Sequence, residues 1–138
     1  MNKLLSIAAT ALLMSCSAPY SHTERGVEVS VTNHREGAPR KVRLEVMKPH
    51  IIRVTATPER RFAHTKSLMI QEEALHTVPP TFEVGHHGDT VTLATEKVKA
   101  HVLRSTGRVW MTHTDGTPLL AMAEEGMQFA PIKVEGSK

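Results

Sequence analysis

The sequence predicts an all-β protein, an antiparallel β-sandwich preceded by a signal peptide and a short tether. Three observations predict this class. From Gly26 onward, apolar residues alternate with polar ones at a period of two, which is typical of half-buried strands. Turn-forming residues separate the alternating runs, and no stretch after Gly26 has the 3.6-residue apolar period of a long helix. Hydrophobic residues make up 40% of the 138 residues, enough for one packed core.

Residues 1–15 have the pattern of a signal peptide. Lys3 supplies a positive charge, and residues 4–14 form an uncharged apolar run, whereas a bilayer-spanning helix needs about 20 residues. The run ends in Leu13-Met14-Ser15-Cys16, which resembles a bacterial lipobox. The resemblance implies cleavage before Cys16 and lipidation of Cys16. The alternative is an ordinary signal peptide with an incidental cysteine. Cys16 is the only cysteine, so no intramolecular disulfide can form.

Residues 16–25 are predicted to be a tether, because they contain Ser, Pro, His and Thr without apolar periodicity. Ser17 follows the cysteine at the position where lipoproteins kept in the inner membrane often carry Asp, which favours the outer membrane. The expected location is therefore the bacterial cell envelope, on the periplasmic or surface side, with the lipid anchor at Cys16.

Residues 26–138 are predicted to form the sandwich, from about eight to ten short strands. Tight turns are expected at Lys48–His50, Gly85–Asp89, Ser105–Gly107 and Asp115–Gly116, and Gln71–His76 is long enough only for one helical turn. The residues on the apolar face of each alternating run should be mainly buried. They are Val42, Leu44, Val46, Ile52, Val54, Val91, Leu93, Val98, Val102, Val109 and Met111.

The order of these strands carries a family resemblance over residues 42–135. The segments are Lys41–Val46, Ile51–Thr57, Asp89–Thr95, Val98–Val102 and Phe129–Ile132, with Thr106-Gly107 and Asp115-Gly116 between the last two. This ordered series resembles the N-terminal, galactose-mutarotase-like domain of glycoside hydrolase family 31, the α-glucosidase and α-xylosidase group.

The resemblance implies a β-sandwich that packs against a following C-terminal (β/α)₈ barrel, which holds the two catalytic aspartates of a retaining mechanism. The expected function is an N-terminal accessory domain of a lipid-anchored, exo-acting α-glycosidase of carbohydrate metabolism, in a truncated chain that lacks the barrel. The chain alone is expected to be inactive, so no catalytic residue is assigned. The alternative is a small stand-alone envelope lipoprotein that binds carbohydrate or protein.

The carboxyl groups give no catalytic candidate. Glycoside hydrolysis usually requires two carboxyls about 5–9.5 Å apart. Asp89 and Asp115 lie in predicted turns beside glycine, where Asp is an ordinary turn residue. Glu72-Glu73 and Glu124-Glu125 are adjacent pairs, whose side chains point to opposite faces of a strand or into solvent.

No cofactor or metal is expected, and nucleic-acid binding is excluded. The tightest histidine pair, His86-His87, has only Asp89 at ligand spacing, and adjacent histidines rarely face one ion. The 17 basic and 14 acidic residues are dispersed, and aromatics make up only 4% of the chain, so neither a basic patch nor a stacking platform is predicted.

Trp110 and the late apolar residues leave alternatives open. Val109 and Met111 occupy one face of their strand, so Trp110 points to the other face. That face is buried within the domain, docks against the absent barrel, or forms a platform for a possible carbohydrate contact. A docking face is predicted from the apolar density after the Asp115-Gly116 turn, although these residues could instead complete the core: Leu119, Leu120, Met122, Met127, Phe129 and Ile132.

Overall fold

The computed structural model describes residues 18–136, which form nine strands and one short helix in two antiparallel sheets. Within each sheet consecutive strands pair, in the order β1-β2-β3-β4 in the first sheet and β5-β6-β7-β8-β9 in the second. The first sheet contains β1 (Tyr20–Thr23), β2 (Gly26–Ser30), β3 (Lys41–Lys48) and β4 (Ile51–Thr57). The second contains β5 (Glu83–His87), β6 (Thr90–Ala94), β7 (Val98–Leu103), β8 (Arg108–His113) and β9 (Pro118–Ala121). The prediction of an all-β sandwich is confirmed. The predicted signal peptide and Cys16 lie outside the described residues.

The core lies between the two sheets and is built from aliphatic side chains at alternate strand positions. Because neighbouring residues of a strand point to opposite faces, each sheet has one apolar inner face that requires the other sheet as cover. The first sheet contributes Val27, Val29, Val42, Leu44 and Val46, and the second contributes Val91, Leu93, Ala100, Val102 and Val109.

The predicted core residues point inward, but three of them are only half-buried. Ile52 and Val54 lie on β4, an edge strand with a neighbour on one side only. Met111 lies opposite Leu120 of the short edge strand β9 and packs against the rim of the core. The other eight predicted residues are buried, which confirms the two-residue period.

Two predicted boundaries are wrong. The segment predicted as a tether contains strand β1, which pairs with β2 by placing Tyr20 opposite Val29. Its polar sequence gives no apolar period because β1 is an edge strand that contacts the core mainly through Tyr20. Gly85–His87 belong to strand β5, and the turn predicted for Gly85–Asp89 is confined to Gly88 and Asp89.

The other turns and the helical turn agree with the sequence. Lys48–His50 joins β3 to β4, and the helix α1 spans Glu72–Leu75. Gly107 and Gly116 have φ of 75° and 92°, a left-handed conformation that favours glycine in these turns.

Residues 58–82 form the long connection between the two sheets, and Arg25 attaches it to the first sheet. The Arg25 side chain lies between β1 and β2 in sequence and is only 5% exposed. Its guanidinium donates hydrogen bonds to the carbonyl oxygens of Leu75 and Thr77 in the connection, and to that of Val46 on β3. This single side chain therefore fixes the position of the helical turn.

Candidate functional site on the outer face of the second sheet

The outer face of the first sheet is a ladder of paired charges. Glu28 on β2 contacts Arg43 at 2.6 Å and Lys41 at 3.5 Å, both on β3. Glu45 on β3 contacts Arg53 on β4 at 3.2 Å. In such cross-strand pairs, the two opposite charges compensate each other at the solvated surface of the sheet. This face therefore keeps its charges compensated within the chain.

The outer face of the second sheet instead carries a hydrogen-bonded histidine beside a tryptophan. The strand register places Thr92, His101 and Trp110 in one row across β6, β7 and β8. His101 Nδ1 lies 2.8 Å from the Thr92 hydroxyl, and His101 Nε2 lies 3.1 Å from the Thr112 hydroxyl. The imidazole stacks on the Trp110 indole, with ring centroids 5.0 Å apart and planes inclined by 14°. We call this group the His101–Trp110 face.

The electrostatics of the His101–Trp110 face favour a neutral imidazole. Burial of the imidazole lowers the pKa of His101 from its ordinary value, and the positive charge of Lys99 on the same strand lowers it further. Arg108 places its guanidinium 5.6 Å from the centre of the Trp110 ring and forms an ion pair with Glu124 at 3.1 Å. The centre of this face is therefore uncharged, with two cations at its sides.

Most of the predicted docking residues are exposed. Leu119 and Leu120 on β9 are 44% and 58% exposed, Ile132 is 82% exposed, and Phe129 is also accessible. Met122 and Met127 are half-buried and pack against the core, so the alternative assignment holds for these two. Trp110 is half-buried on the outer face, directed away from the core.

The carboxyl groups that the sequence offered as possible catalytic groups make separate local contacts in the structure. Asp89 lies in the β5–β6 turn, 3.9 Å from Arg104. Asp115 accepts a 2.8 Å hydrogen bond from the Thr117 amide, which lowers the pKa of its carboxyl. Glu72 pairs with Lys66 in the connection, and Glu124 pairs with Arg108. The structure therefore gives each of these carboxylates a different environment.

The histidines are likewise dispersed. His86 lies on β5 with its ring 5.9 Å from that of Tyr20, and His87 is its exposed neighbour on the same strand. Within residues 18–136, no group of three or more His, Cys, Asp and Glu side chains is arranged to hold a metal ion.

A cleft of about 520 Å³ opens at one end of the sandwich. It is lined by Phe82 and Glu83 at the start of β5, by Glu96 in the β6–β7 turn, and by Pro49 and Pro80. Phe82 also packs against the core, so the aromatic wall of the cleft is fixed. The sequence did not indicate this site, because its residues converge from three separate turns.

Taken together, these features define a β-sandwich domain with a hydrogen-bonded aromatic face on its second sheet and a cleft at one end. No helix in the described part of the chain is long and apolar enough to cross a membrane. No protein-family model matches the chain.

The chain is similar to the crystal structure of a glycoside hydrolase family 31 α-xylosidase from Xanthomonas citri. The TM-score is 0.67 and the sequence identity is 36% over 84% of this chain. The chain spans only 12% of the length of that enzyme. The match agrees with the resemblance drawn from the sequence, because the similar protein is an enzyme of glycoside hydrolase family 31.

Proposed function

We propose that the chain is the N-terminal accessory domain of a lipid-anchored, exo-acting α-glycoside hydrolase of the α-glucosidase or α-xylosidase type. The observation that carries this proposal is the 36% identity over 84% of the chain, at a TM-score of 0.67, with a family 31 enzyme of which the chain spans 12%. At this identity the fold relationship and the sequence relationship support each other. The parent protein would be a retaining α-glycosidase, and its catalytic carboxyls would lie in a (β/α)₈ domain.

The arrangement of the carboxyl groups supports an accessory role. Hydrolysis requires two carboxyls that face one glycosidic bond, one of them with a raised pKa. Asp89 and Asp115 lie at different turns, and the pKa of Asp115 is lowered rather than raised. The rigid sandwich instead offers surfaces, which suit support of another domain.

The envelope location is part of the proposal and rests on sequence alone. The lipobox-like segment that ends at Cys16 supports a lipid anchor, and Ser17 supports delivery to the outer membrane. Strand β1 begins at Tyr20, so only three residues separate it from the proposed anchor. The sandwich would therefore lie close to the membrane surface.

For carbohydrate contact, the cleft beside Phe82 is the site that the geometry favours. Its volume of about 520 Å³ lies within the usual range for small-molecule sites. The ring of Phe82 offers an apolar surface to a sugar, while Glu83 and Glu96 offer acceptors for its hydroxyl groups. The alternative function, a stand-alone binding module, would use this same cleft.

Two measurements test the proposal. The gene is read downstream of Lys138, where we expect an uninterrupted frame that encodes a (β/α)₈ domain. Aryl α-glucosides and α-xylosides are then incubated with the chain alone and with the longer protein, and only the longer protein should release the aryl group. A stop codon directly after Lys138, or turnover by the chain alone that one point substitution abolishes, would overturn the proposal.

A further inference from the structure

We propose that the His101–Trp110 face is the surface that the catalytic domain of the parent glycosidase covers. The inference rests on the proposed function and adds to it the location of the contact. Three features of the molecule support it: the two outer faces of the sandwich differ, the Trp110 side chain is fixed by its neighbours, and an apolar edge strand adjoins this face.

The first sheet is a poor docking surface, because its outer face is already occupied by contacts within the chain. The ion pairs that Glu28 and Glu45 form would lose solvation if another domain covered them, and desolvation of ion pairs is costly. The connection also folds over this face, with the Phe62 ring 4.0 Å from the guanidinium carbon of Arg43. The connection therefore already covers part of the outer face of the first sheet.

The second sheet can be covered at lower cost. Besides the His101–Trp110 pair, its outer positions on β6 to β8 include the uncharged Thr90, Thr92, Leu103 and Thr112, and two cations, Lys99 and Arg108, of which Arg108 is paired with Glu124. The hydroxyls of Thr92 and Thr112 are already bonded to His101, so covering them leaves no polar group unsatisfied. The centre of this face is uncharged, and an adjoining domain that covers it must compensate only the charge of Lys99.

Trp110 is held in place before any partner arrives. His101 stacks against it on β7, and the Arg108 guanidinium lies 5.6 Å from its ring centre. Tryptophan is enriched among the residues that contribute most to protein contacts, and a fixed rotamer lowers the entropy lost on binding. Trp110 is therefore placed to be the centre of the contact.

The neighbouring edge strand extends this surface. Ala121 lies opposite Trp110 on β9. Leu119 and Leu120 directly precede Ala121 on the same exposed strand. The apolar area therefore continues from the centre of the sheet to its edge. Contacts between domains of one chain typically bury about 600–1,500 Å².

The occupant is a domain of the same polypeptide, with a defined chemistry. The matched xylosidase continues far beyond the sandwich, since the chain spans 12% of it. Lys99 lies beside the His101–Trp110 pair and, among residues 18–136, forms no ion pair with a carboxylate. The facing surface should therefore be apolar or aromatic, with an Asp or Glu directed toward Lys99.

The test is hydroxyl-radical footprinting of the full chain alone and of the longer protein that contains the catalytic domain. Mass spectrometry then gives the modification rate of each residue. We expect the rates of Trp110 and Leu119 to fall severalfold in the longer protein, because the docked domain removes both side chains from solvent. Phe62 is the matched control, because it is a half-buried aromatic beside an arginine on the opposite face, and its rate should not change.

A pair of charge reversals gives a second readout. Lys99→Glu should separate the unfolding of the sandwich from that of the catalytic domain in calorimetry of the longer protein. Lys97→Glu, which makes the same charge change in the exposed β6–β7 turn, should leave unfolding unchanged. Protection of Phe62 with unprotected Trp110 would overturn the location while leaving the accessory role intact. Protection of neither residue would also overturn the location, whereas the proposed function itself fails only if no catalytic domain follows in the longer protein.

Discussion

The guanidinium of Arg25 donates a 2.5 Å hydrogen bond to the carbonyl oxygen of Thr77, 52 residues further along the chain. A second bond reaches Leu75, and a third connects the same side chain to Val46 on β3. All three acceptors are backbone carbonyls, and the two in the connection, those of Leu75 and Thr77, lie outside both sheets. A buried cation thus holds the helical turn of the connection against the first sheet.

Replacement of Arg25 should loosen the connection selectively. Arg25→Met keeps much of the apolar stem but leaves the Thr77 and Val46 carbonyls without their donor. We expect a loss of about 3 kcal/mol of unfolding free energy and faster amide exchange at residues 71–78, measured by hydrogen–deuterium exchange. Arg61→Met, at an exposed position, is the control and should change neither. Unaltered exchange in Arg25→Met would contradict the anchoring role.

Two strand glycines should respond in opposite ways to alanine. A Cβ at Gly26 would lie 2.0 Å from the Leu44 carbonyl oxygen, whereas a Cβ at Gly85 meets nothing within 4 Å. Gly26→Ala should therefore cost about 3 kcal/mol through overpacking. Gly85→Ala should be neutral or stabilise by about 0.5 kcal/mol, because alanine loses less backbone entropy in a strand. Urea titrations of both variants measure the difference, and equal destabilisation would show that β2 and β3 can separate to admit a methyl group.

Acid should destabilise the His101–Trp110 face. Burial and the charge of Lys99 depress the folded pKa of His101 below its ordinary value of 6.5. The unfolded chain therefore binds a proton more readily in the window below that value. Stability is lost as pH falls from about 6.5 toward the folded pKa, below which the penalty is constant. Thermal unfolding from pH 7.5 to pH 5 should show this loss, and His101→Gln should reduce it. An NMR titration of the imidazole that gives a pKa above 6.5 would reverse the predicted sign.

The exposed apolar residues that follow the Asp115-Gly116 turn should make the isolated chain self-associate. Leu119, Leu120 and Ile132 are accessible, and apolar patches of more than a few hundred Å² favour association. We expect the chain to bind a hydrophobic dye and to self-associate in sedimentation experiments. Replacement of Leu119 and Leu120 by Ser should weaken both effects, while Val78→Ser, on the connection, should not. A monomer without dye binding would show that these side chains form no continuous patch.

Lipidation of Cys16 is the prediction that lies outside the described residues. Metabolic labelling with a radioactive fatty acid should mark the wild-type protein, because the lipobox and the only cysteine coincide. Cys16→Ala should remain unlabelled and leave the membrane fraction, while Ser15→Ala should retain the label. Equal labelling of the wild type and Cys16→Ala would exclude a thioether-linked anchor at this position.

Sequence reasoning succeeded where one physical rule decides the outcome. The alternation of Val42, Leu44 and Val46 leaves β3 only one way to bury its apolar side, and the structure buries all three. The Asp115-Gly116 pair similarly requires a turn, which Gly116 makes with positive φ. These signals are local, so a single sequence contains them in full.

It failed where the partner of a segment lies far away in the chain. Strand β1 is polar and became visible only through its pairing with β2. The hydrogen bonds of His101 join residues on β6, β7 and β8, and no spacing in the sequence indicates that Thr92 and Thr112 would flank one ring. The cleft beside Phe82 is assembled from three turns. Such sites depend on the register between strands, which the apolar pattern alone does not reveal.

The strictly consecutive strand order determines how this molecule can be assembled during synthesis. The strands of the first sheet are all present once Thr57 has been made, so its pairing can begin before β5 exists. The side of that sheet carrying Val27, Leu44 and Val46 is covered only by strands that begin with Glu83. If the first sheet pairs before the second is made, its apolar side would stay exposed until the second sheet covers it, and exposed apolar surface of this kind favours aggregation.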